Sequence, residues 1–237
     1  MSTDFGVPEA PPSYGAAADK NTNEILQPTI LVLAGQSIHA SSVDSSALYQ
    51  MDLSIANLTH STAKVEFERV ERTIKTIIAG EVVIKHRGRH IYNLKHLKTA
   101  PSGYESLPSE SPHYFITSVS RRTVGNIGLK KSRFRSHWKA LPIDASGKSS
   151  DCGLPVFIKG AKALFEIDYK HDRYKWTDGD GHAVGVEDRR GEQHQLIATA
   201  SLHQETMDAL VALGCCRLWQ YSADHKERMH EGMEGGK

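Results

Sequence analysis

One apolar segment near the carboxyl end constrains the fold of this chain more than any other feature. Residues 203–222 read HQETMDALVALGCCRLWQYS, and no polar side chain occurs between Ala209 and Cys216. Acidic residues such as Asp208 precede the apolar run, which suits the positively polarised first turn of a helix. A surface helix has one polar face, but this segment is apolar almost all round for two turns. We therefore predict a helix over about 204–222 that is surrounded by protein on every side.

Two details of this segment limit what can surround it. Gly214 in the interior of a helix costs about 1 kcal/mol relative to alanine, so we expect a neighbouring group that leaves no room for a Cβ. The apolar run is also too short to cross a bilayer, which takes about 20 residues. The rest of the chain must therefore enclose the helix.

The residues before the helix alternate between apolar and polar side chains with the period of two that is typical of β-strands. Odd positions are apolar in 49–55, and in 64–68 Val65 and Phe67 alternate with charged residues. We predict about a dozen short strands, with a hairpin turn at Arg87-Gly88-Arg89. Further strands are expected at 29–33, 82–86, 90–94, 114–119, 124–130, 134–141, 154–158, 163–169, 174–177, 183–187 and 195–199.

Many antiparallel strands followed by one helix that is apolar all round favour a closed barrel. A β-sandwich fills its core with its own two sheets, whereas a barrel can enclose the helix and leaves no exposed strand edges. The predicted fold class is mainly β, a closed barrel of roughly 12 antiparallel strands around a C-terminal hydrophobic α-helix. A smaller barrel with the helix across its mouth is the alternative. We place the domain at 27–224, between disordered tails at 1–26 and 225–237.

The number of strands, together with the segment from Asp208 to Trp219 (DALVALGCCRLW), resembles the tubby C-terminal-like superfamily, especially its fungal members. In that fold a twelve-stranded barrel encloses a C-terminal hydrophobic helix, and the resemblance covers roughly residues 26–222. The superfamily includes tubby proteins, phospholipid scramblases and the plant LURP-one group. The resemblance implies binding to phosphoinositides or membrane surfaces, not catalysis. The sequence lacks the cysteine-rich segment and terminal membrane helix of the scramblases, so lipid scrambling is not implied.

The most informative charge feature is a run of basic residues without acidic ones. No acidic residue occurs between Glu110 and Asp144, and strand alternation places the odd-numbered residues from Arg133 to Lys139 on one outward face. Charge of one sign over neighbouring strands attracts anionic partners. Near an anionic membrane each basic residue contributes about 1 kcal/mol. The candidate lipid- or anion-binding residues are Arg121, Arg122, Lys130, Lys131, Arg133, Arg135 and Lys139.

A second acid-free span, 82–104, supports the same prediction. Its basic residues are Lys85, Arg87, Arg89, Lys95 and Lys98. The alternative is a solvated barrel face that nearby carboxylates neutralise, and the candidates for this are Glu66, Glu68 and Glu71. Nucleic acid is a less favoured partner, because the sequence has no recognition helix, zinc knuckle or aromatic RNA-binding strand pattern and its net charge is +1.

The amino-terminal residues carry a separate binding motif. Residues 1–26 are rich in Pro, Ala, Ser and Asn, which predicts disorder. Within them Pro11-Pro12-Ser13-Tyr14 is similar to the PPxY ligand of WW domains, which docks a polyproline II turn on aromatic grooves. An ordinary proline-rich tail is the simpler interpretation. The second hypothesis is an adaptor that recruits a WW-domain partner, such as a ubiquitin ligase, through Pro11, Pro12 and Tyr14.

The sequence contains no signature of catalysis or of a bound metal or cofactor. G-x-S-x-G, P-loop, dinucleotide and HExxH motifs are absent, and a barrel filled by its own helix has no interior room for substrate. His86, His90 and His96 share no Cys or carboxylate within their span. We expect a non-enzymatic protein without metal or cofactor. Three cysteines, no secretory signal and no transmembrane segment favour a cytoplasmic location, peripheral at the inner face of the plasma membrane.

Overall fold

A computed structural model describes residues 24–76, 82–97, 108–132, 136–150, 152–188 and 193–234. Four of the features singled out in the sequence lie outside these ranges: the motif Pro11-Pro12-Ser13-Tyr14, the candidate anion-binding residues Arg133 and Arg135, and Lys98 of the second acid-free span. The hypotheses attached to them therefore stay predictions.

The described residues form fifteen strands, one short 3-10 helix at Ile55–Asn57 and one α-helix, α1, at Gln204–Glu234. The strands are β1 (Ile25–Leu26), β2 (Thr29–Ala34), β3 (Ser37–Ala40), β4 (Ala47–Met51), β5 (Lys64–Thr76), β6 (Val82–His96), β7 (Tyr114–Ser118), β8 (Ile127–Lys131), β9 (His137–Asp144), β10 (Val156–Phe157), β11 (Phe165–Lys170), β12 (Arg173–Asp178), β13 (Ala183–Asp188), β14 (His194–Ala198) and β15 (Leu202–His203).

Twelve of these strands close into an antiparallel barrel. Their hydrogen-bonded order is β9-β11-β12-β13-β14-β2-β3-β4-β5-β6-β7-β8, and β8 pairs with β9 to complete the ring. Strand β10 pairs with one end of β9, and β1 pairs with β15 in a separate two-stranded sheet. The predicted fold class, a closed antiparallel barrel of twelve strands with a C-terminal helix, is thereby confirmed.

The first half of α1 lies in the barrel core. Residues 207–213 and 215–219 are all buried, and their apolar side chains form one cluster with the inward-facing side chains of the strands. Gly214 interrupts this run where α1 passes β14. A Cβ on Gly214 would lie 3.2 Å from Leu196 Cδ2, which is the close approach that the glycine predicted. Within the described ranges, no helix combines the length and apolar character that a bilayer crossing requires.

Both ends of the ordered chain extend further than the sequence predicted. Helix α1 continues to Glu234, so residues 225–234 are helical and the predicted C-terminal tail from 225 is wrong. This extension is rich in residues with high helix propensity, and Arg228 Nε donates a hydrogen bond to the Asp224 carbonyl oxygen at 3.1 Å. At the other end, β1 lies inside the predicted tail 1–26, because it pairs with β15 beside the start of α1.

The predicted hairpin turn at Arg87-Gly88-Arg89 is wrong, because β6 runs through all three residues. Strands β5 and β6 pair continuously from Lys64 opposite Lys95 to Thr76 opposite Val82. A Cβ on Gly88 would collide with the carboxylate of Glu68, so this glycine makes room for a side chain and does not make a turn. Strand β4 also ends earlier than the predicted 49–55, since the chain enters the 3-10 helix after Met51.

A buried ionic cluster fixes the start of α1 to the barrel wall. Asp208 is fully buried and accepts hydrogen bonds from Tyr49 Oη at 2.9 Å, Arg69 Nη1 at 2.7 Å and Gln204 Nε2 at 2.7 Å. Burial raises the pKa of Asp208 above its ordinary value, while the Arg69 guanidinium opposes that rise. The three donors satisfy a carboxylate that would otherwise be costly to bury.

A second buried ion pair holds the later part of the enclosed helix. Arg217 Nε donates to Glu187 Oε1 at 2.9 Å, and both side chains are buried. The Arg217 guanidinium carbon also lies 3.6 Å from the ring centroid of Tyr174 and 5.1 Å from that of Trp138. The single charged residue in the apolar part of the helix is therefore paired inside the barrel.

Candidate anion-binding cleft

The candidate site is a cleft on the outer wall of the barrel, where β8 and β9 meet the segment 108–113. Gly128 on β8 allows this close packing, because a Cβ there would lie 2.7 Å from Pro112 Cβ and 3.0 Å from Phe157 Cε1. A small apolar cluster, separate from the barrel core, holds these segments against the strands. Its buried members are Phe115, Ile143 and Phe157.

The cleft is lined mainly by cationic and hydroxyl-bearing side chains, and its volume is about 440 Å³. Lys130 and Lys131 come from β8, and His137 and Lys139 come from β9. Ser109, Ser111, Ser132 and His113 complete the polar lining, and none of the described lining residues is acidic. We call this site the lysine cleft, after Lys130, Lys131 and Lys139. Its volume is within the range of small-ligand sites.

Two of the three lysines repel each other across the sheet. Lys130 and Lys139 are directly opposite in the β8–β9 ladder, and like charges at opposed positions destabilise an antiparallel pair. Lys130 Nζ lies 5.1 Å from the ring centroid of Phe157, and none of the described carboxylates is within ion-pair distance of it. A bound anion would offset the charge of the Lys130 ammonium group.

Strand β11 neutralises part of the predicted positive face. Lys139 Nζ lies 2.6 Å from Glu166 Oε1, and His137 Nδ1 lies 2.8 Å from Asp168 Oδ1. The sequence had suggested carboxylates of β5 for this role, but β9 pairs with β11 and β8 in the ring. The positive charge of the lysine cleft is therefore concentrated at Lys130, because Lys131 Nζ lies 5.2 Å from the ring centroid of Trp138, on the other face of β8.

Ser111 contributes a buried hydroxyl to the lining of the cleft. The residue is 4% exposed, and its Oγ has no hydrogen-bond partner among the described residues. An unsatisfied buried hydroxyl costs about 1–3 kcal/mol, which a ligand oxygen could recover. Phosphate and carboxylate oxygens accept hydrogen bonds from hydroxyl and ammonium groups alike. Lys130, Lys139 and Ser111 thus offer the kinds of donors that an oxyanion needs.

The structure divides the predicted basic residues between two places. Lys130, Lys131 and Lys139 line the lysine cleft, whereas Arg121 and Arg122 lie in the β7–β8 connection at the other end of these strands. There, the Oγ of Ser120 accepts hydrogen bonds from the backbone N–H of Arg122 and, at 3.4 Å, from Arg89 Nη2 of β6. These arginines adjoin the base of the β5–β6 hairpin, not the cleft.

Comparison with known proteins gives no guide to the function, so its interpretation depends on the geometry of the lysine cleft. No family model, curated protein or solved structure matches the chain. The described part of the chain also has no group of three or more His, Cys, Asp or Glu side chains arranged to hold a metal ion. What the cleft offers is cationic and hydroxyl donors for an anion.

Sequence reasoning found the lysines of the cleft but missed Ser111. The signal for the lysines was the acid-free span on adjacent strands. Ser111 lies in a proline-rich loop, and its neighbours in the chain pack against distant segments: Pro112 approaches Gly128, and the Glu110 carbonyl oxygen accepts a hydrogen bond from the Phe157 N–H at 2.9 Å. Such a contact between distant segments leaves no local trace in the sequence.

Proposed function

We propose that this protein is a non-enzymatic module that binds phosphorylated head groups at anionic membrane surfaces through the lysine cleft. The observation that carries the proposal is Lys130, which has no ion pair with any of the described carboxylates, together with the unsatisfied hydroxyl of Ser111 in the same cleft. A phosphate group carries charge for the ammonium groups and acceptor oxygens for the hydroxyl. The partner is an anionic lipid, and the expected location is the cytoplasmic leaflet, whose anionic lipids attract basic protein surfaces.

The proposed family is the tubby C-terminal-like superfamily. The support for it is the closed twelve-stranded ring with a hydrophobic helix in its core. That superfamily implies phosphoinositide or membrane-surface binding, and a cationic cleft on the outer wall suits such a role. The absence of an enzymatic signature in the sequence agrees with a binding module.

Sedimentation with lipid vesicles tests the proposed function. We expect the wild-type protein to bind vesicles that contain phosphoinositides and to be released by high salt, because salt screens exposed charges. Neutralising two cations at about 1 kcal/mol each should weaken binding about 30-fold in the variant Lys130→Gln/Lys139→Gln. Glutamine removes the charge, keeps a polar side chain one atom shorter than lysine, and adds no carboxylate beside Glu166.

The matched control removes two exposed cations that do not line the cleft. Lys148 lies in the β9–β10 connection and Lys175 on β12, and both are exposed. Lys148→Gln/Lys175→Gln should retain most of the vesicle binding of the wild-type protein. Equal losses in the two double variants would mean that diffuse charge acts and the cleft does not. Unchanged binding in Lys130→Gln/Lys139→Gln would exclude the cleft altogether.

A second candidate function is supported by the sequence motif Pro11-Pro12-Ser13-Tyr14. As an adaptor, the protein would recruit a WW-domain partner through this motif while the barrel binds the membrane. We expect Tyr14→Ala to abolish capture by an immobilised WW domain, because the tyrosine fills a pocket of its own. The melting temperature should stay unchanged. Capture that survives the substitution would remove the motif from consideration.

A further inference from the structure

The β5–β6 hairpin extends beyond its neighbours in the ring as a two-stranded ribbon. Strand β4 pairs with β5 up to Arg69, and β7 pairs with β6 from Tyr92 onward. The seven rungs from Val70 opposite Gly88 to Thr76 opposite Val82 involve only β5 and β6 among the described strands. At about 3.3 Å per residue this ribbon is roughly 20 Å long.

The described side chains of the ribbon combine an exposed aliphatic group with exposed cations. Ile84 is 55% exposed. Arg72, Lys85 and Arg87 are exposed as well. In the β5–β6 register Arg72 stands opposite His86 and Lys85 opposite Thr73, so cations occur on both faces of the ribbon. A ribbon of this composition is neither an apolar docking strand nor a uniformly polar one.

The acidic residue of the ribbon does not cancel these cations. Glu71 is the acidic residue among 70–73 and 83–89, and its Oε1 accepts hydrogen bonds from Arg69 Nη2 and Arg89 Nη1, each at 3.1 Å. Both of these arginines lie at the base of the ribbon. The exposed cations farther along therefore keep an excess of positive charge.

Such a ribbon calls for a partner that is both anionic and apolar. A two-stranded hairpin with no further strand is marginally stable in water. The exposed isoleucine adds apolar surface that is in contact with water, which is unfavourable. The boundary between lipid head groups and acyl chains accepts aliphatic side chains, and the lipid phosphates attract basic residues. A β-ribbon also fits the major groove of DNA, where Ile84 would contact thymine methyl groups, so duplex DNA is the alternative partner in the test below.

The ribbon and the lysine cleft belong to neighbouring strands of the barrel wall and lie at opposite ends of those strands. Strands β6, β7, β8 and β9 are consecutive in the ring, and Arg121 and Arg122 occupy the β7–β8 connection near the ribbon base. One flat surface laid along these strands would meet basic groups from both features. The cleft lysines and the arginines of the β7–β8 connection, which form the two parts of the predicted basic set, would then contact the same surface.

We propose that the β5–β6 ribbon is a second membrane contact, distinct from the lysine cleft. Ile84 enters the head-group and acyl boundary of an anionic bilayer, and Arg72, Lys85 and Arg87 contact lipid phosphates. The ribbon fixes the orientation of the barrel on the bilayer, while the cleft selects the head group. The inference shares with the proposed function only the requirement for an anionic bilayer.

An environment-sensitive fluorophore at position 84 tests the ribbon directly. The full chain with Cys152→Ser and Ile84→Cys would carry the label, because Cys215 and Cys216 are buried. Vesicles of phosphatidylcholine with phosphatidylserine should shift the emission to the blue, and a quencher attached to the acyl chains should reduce it. The matched control is Ile30→Cys on β2, a residue 40% exposed on a strand three places from β5 in the ring, whose label should not respond.

Binding measurements complete the test. Ile84→Ser should weaken sedimentation with these vesicles about tenfold, since it removes the apolar burial of one isoleucine, and Ile30→Ser should have no effect. If the label at position 84 does not respond while the protein still sediments with vesicles, the proposed membrane contact of the ribbon is wrong and the proposal for the lysine cleft is unaffected. A label that responds to duplex DNA and not to vesicles would replace the bilayer with nucleic acid. A wild-type protein that binds no vesicles would overturn both proposals.

Discussion

Replacing Trp219 by alanine is expected to lower the free energy of unfolding by about 3–5 kcal/mol, the usual cost of removing a large aromatic side chain from a core. Trp219 is fully buried. Its ring lies edge-on to Tyr114 with centroids 5.5 Å apart, and its Nε1 donates to the Thr59 carbonyl oxygen at 3.1 Å. The variant would leave a cavity and remove one of the two hydrogen bonds that the Thr59 carbonyl oxygen accepts, the other being from the Thr62 N–H at 3.2 Å.

The comparison for Trp219→Ala is Tyr221→Ala, two residues later on the same helix. Tyr221 is 45% exposed and stacks on His225 with ring centroids 6.2 Å apart. Its removal should cost less than about 1 kcal/mol, as for most surface substitutions. Urea denaturation of both variants measures the difference. Similar losses for the two aromatic residues would contradict the enclosure of the helix.

Asp208→Ala is expected to lower the free energy of unfolding by about 3 kcal/mol. Removing one partner of a buried ion pair leaves the other charge without compensation, at a cost of about 3–5 kcal/mol. We expect the lower end of that range, because Arg69 Nη2 keeps Glu71 as a partner at 3.1 Å. Tyr49 and Gln204 would each lose the acceptor of a hydrogen bond as well.

Glu205→Ala provides the control for Asp208→Ala, since it removes a carboxylate from the same turn of α1. Glu205 is half-buried and Asp208 is fully buried. The control should change the free energy of unfolding by about 0.5 kcal/mol or less. Chemical denaturation at neutral pH distinguishes the two. A loss below about 1 kcal/mol in Asp208→Ala would show that the ionic cluster is incidental to stability.

The architecture could be predicted because two strong patterns point to the same fold. The apolar segment around Leu210 and Leu213 requires enclosure, and the period-two pattern supplies enough strands to enclose it. Gly214 gave a further correct indication, namely a close neighbour, which proved to be Leu196. Local patterns that place side chains in the hydrophobic core are the ones that can be predicted most reliably from a sequence.

Features that depend on contacts between distant segments could not be predicted. Gly88 between two arginines is typical of a turn, yet it lies within β6, where it stands opposite Val70 in the β5–β6 ladder. The ribbon was missed for the same reason, since a false turn shortens the hairpin. The end of α1 was also placed too early, because helix propensity continues to Glu234 after the apolar pattern stops.

The candidate site was predicted in part. Lys130 and Lys139 were correctly assigned to neighbouring strands, whereas Lys131 lies one residue beyond the predicted strand 124–130 and is part of β8. The sequence gave no register, and the opposed position of Lys130 and Lys139 depends on the β8–β9 pairing that closes the barrel. The partner of Lys139 is Glu166, 27 residues away on β11. Strand order decides which charges remain available for a ligand, and strand order is a property of the whole ring.

The most direct test of the proposed function follows backbone amide signals by NMR while soluble inositol trisphosphate is added. The account predicts that the shifts concentrate at Ser111, Lys130, Lys131 and Lys139, reverse at high salt, and vanish in Lys130→Gln/Lys139→Gln. The soluble head group has no acyl chain, so the signals of Ile84 and its neighbours should stay in place. Shifts that spread evenly over all exposed lysines, or no shifts at all, would contradict a head-group site in the lysine cleft.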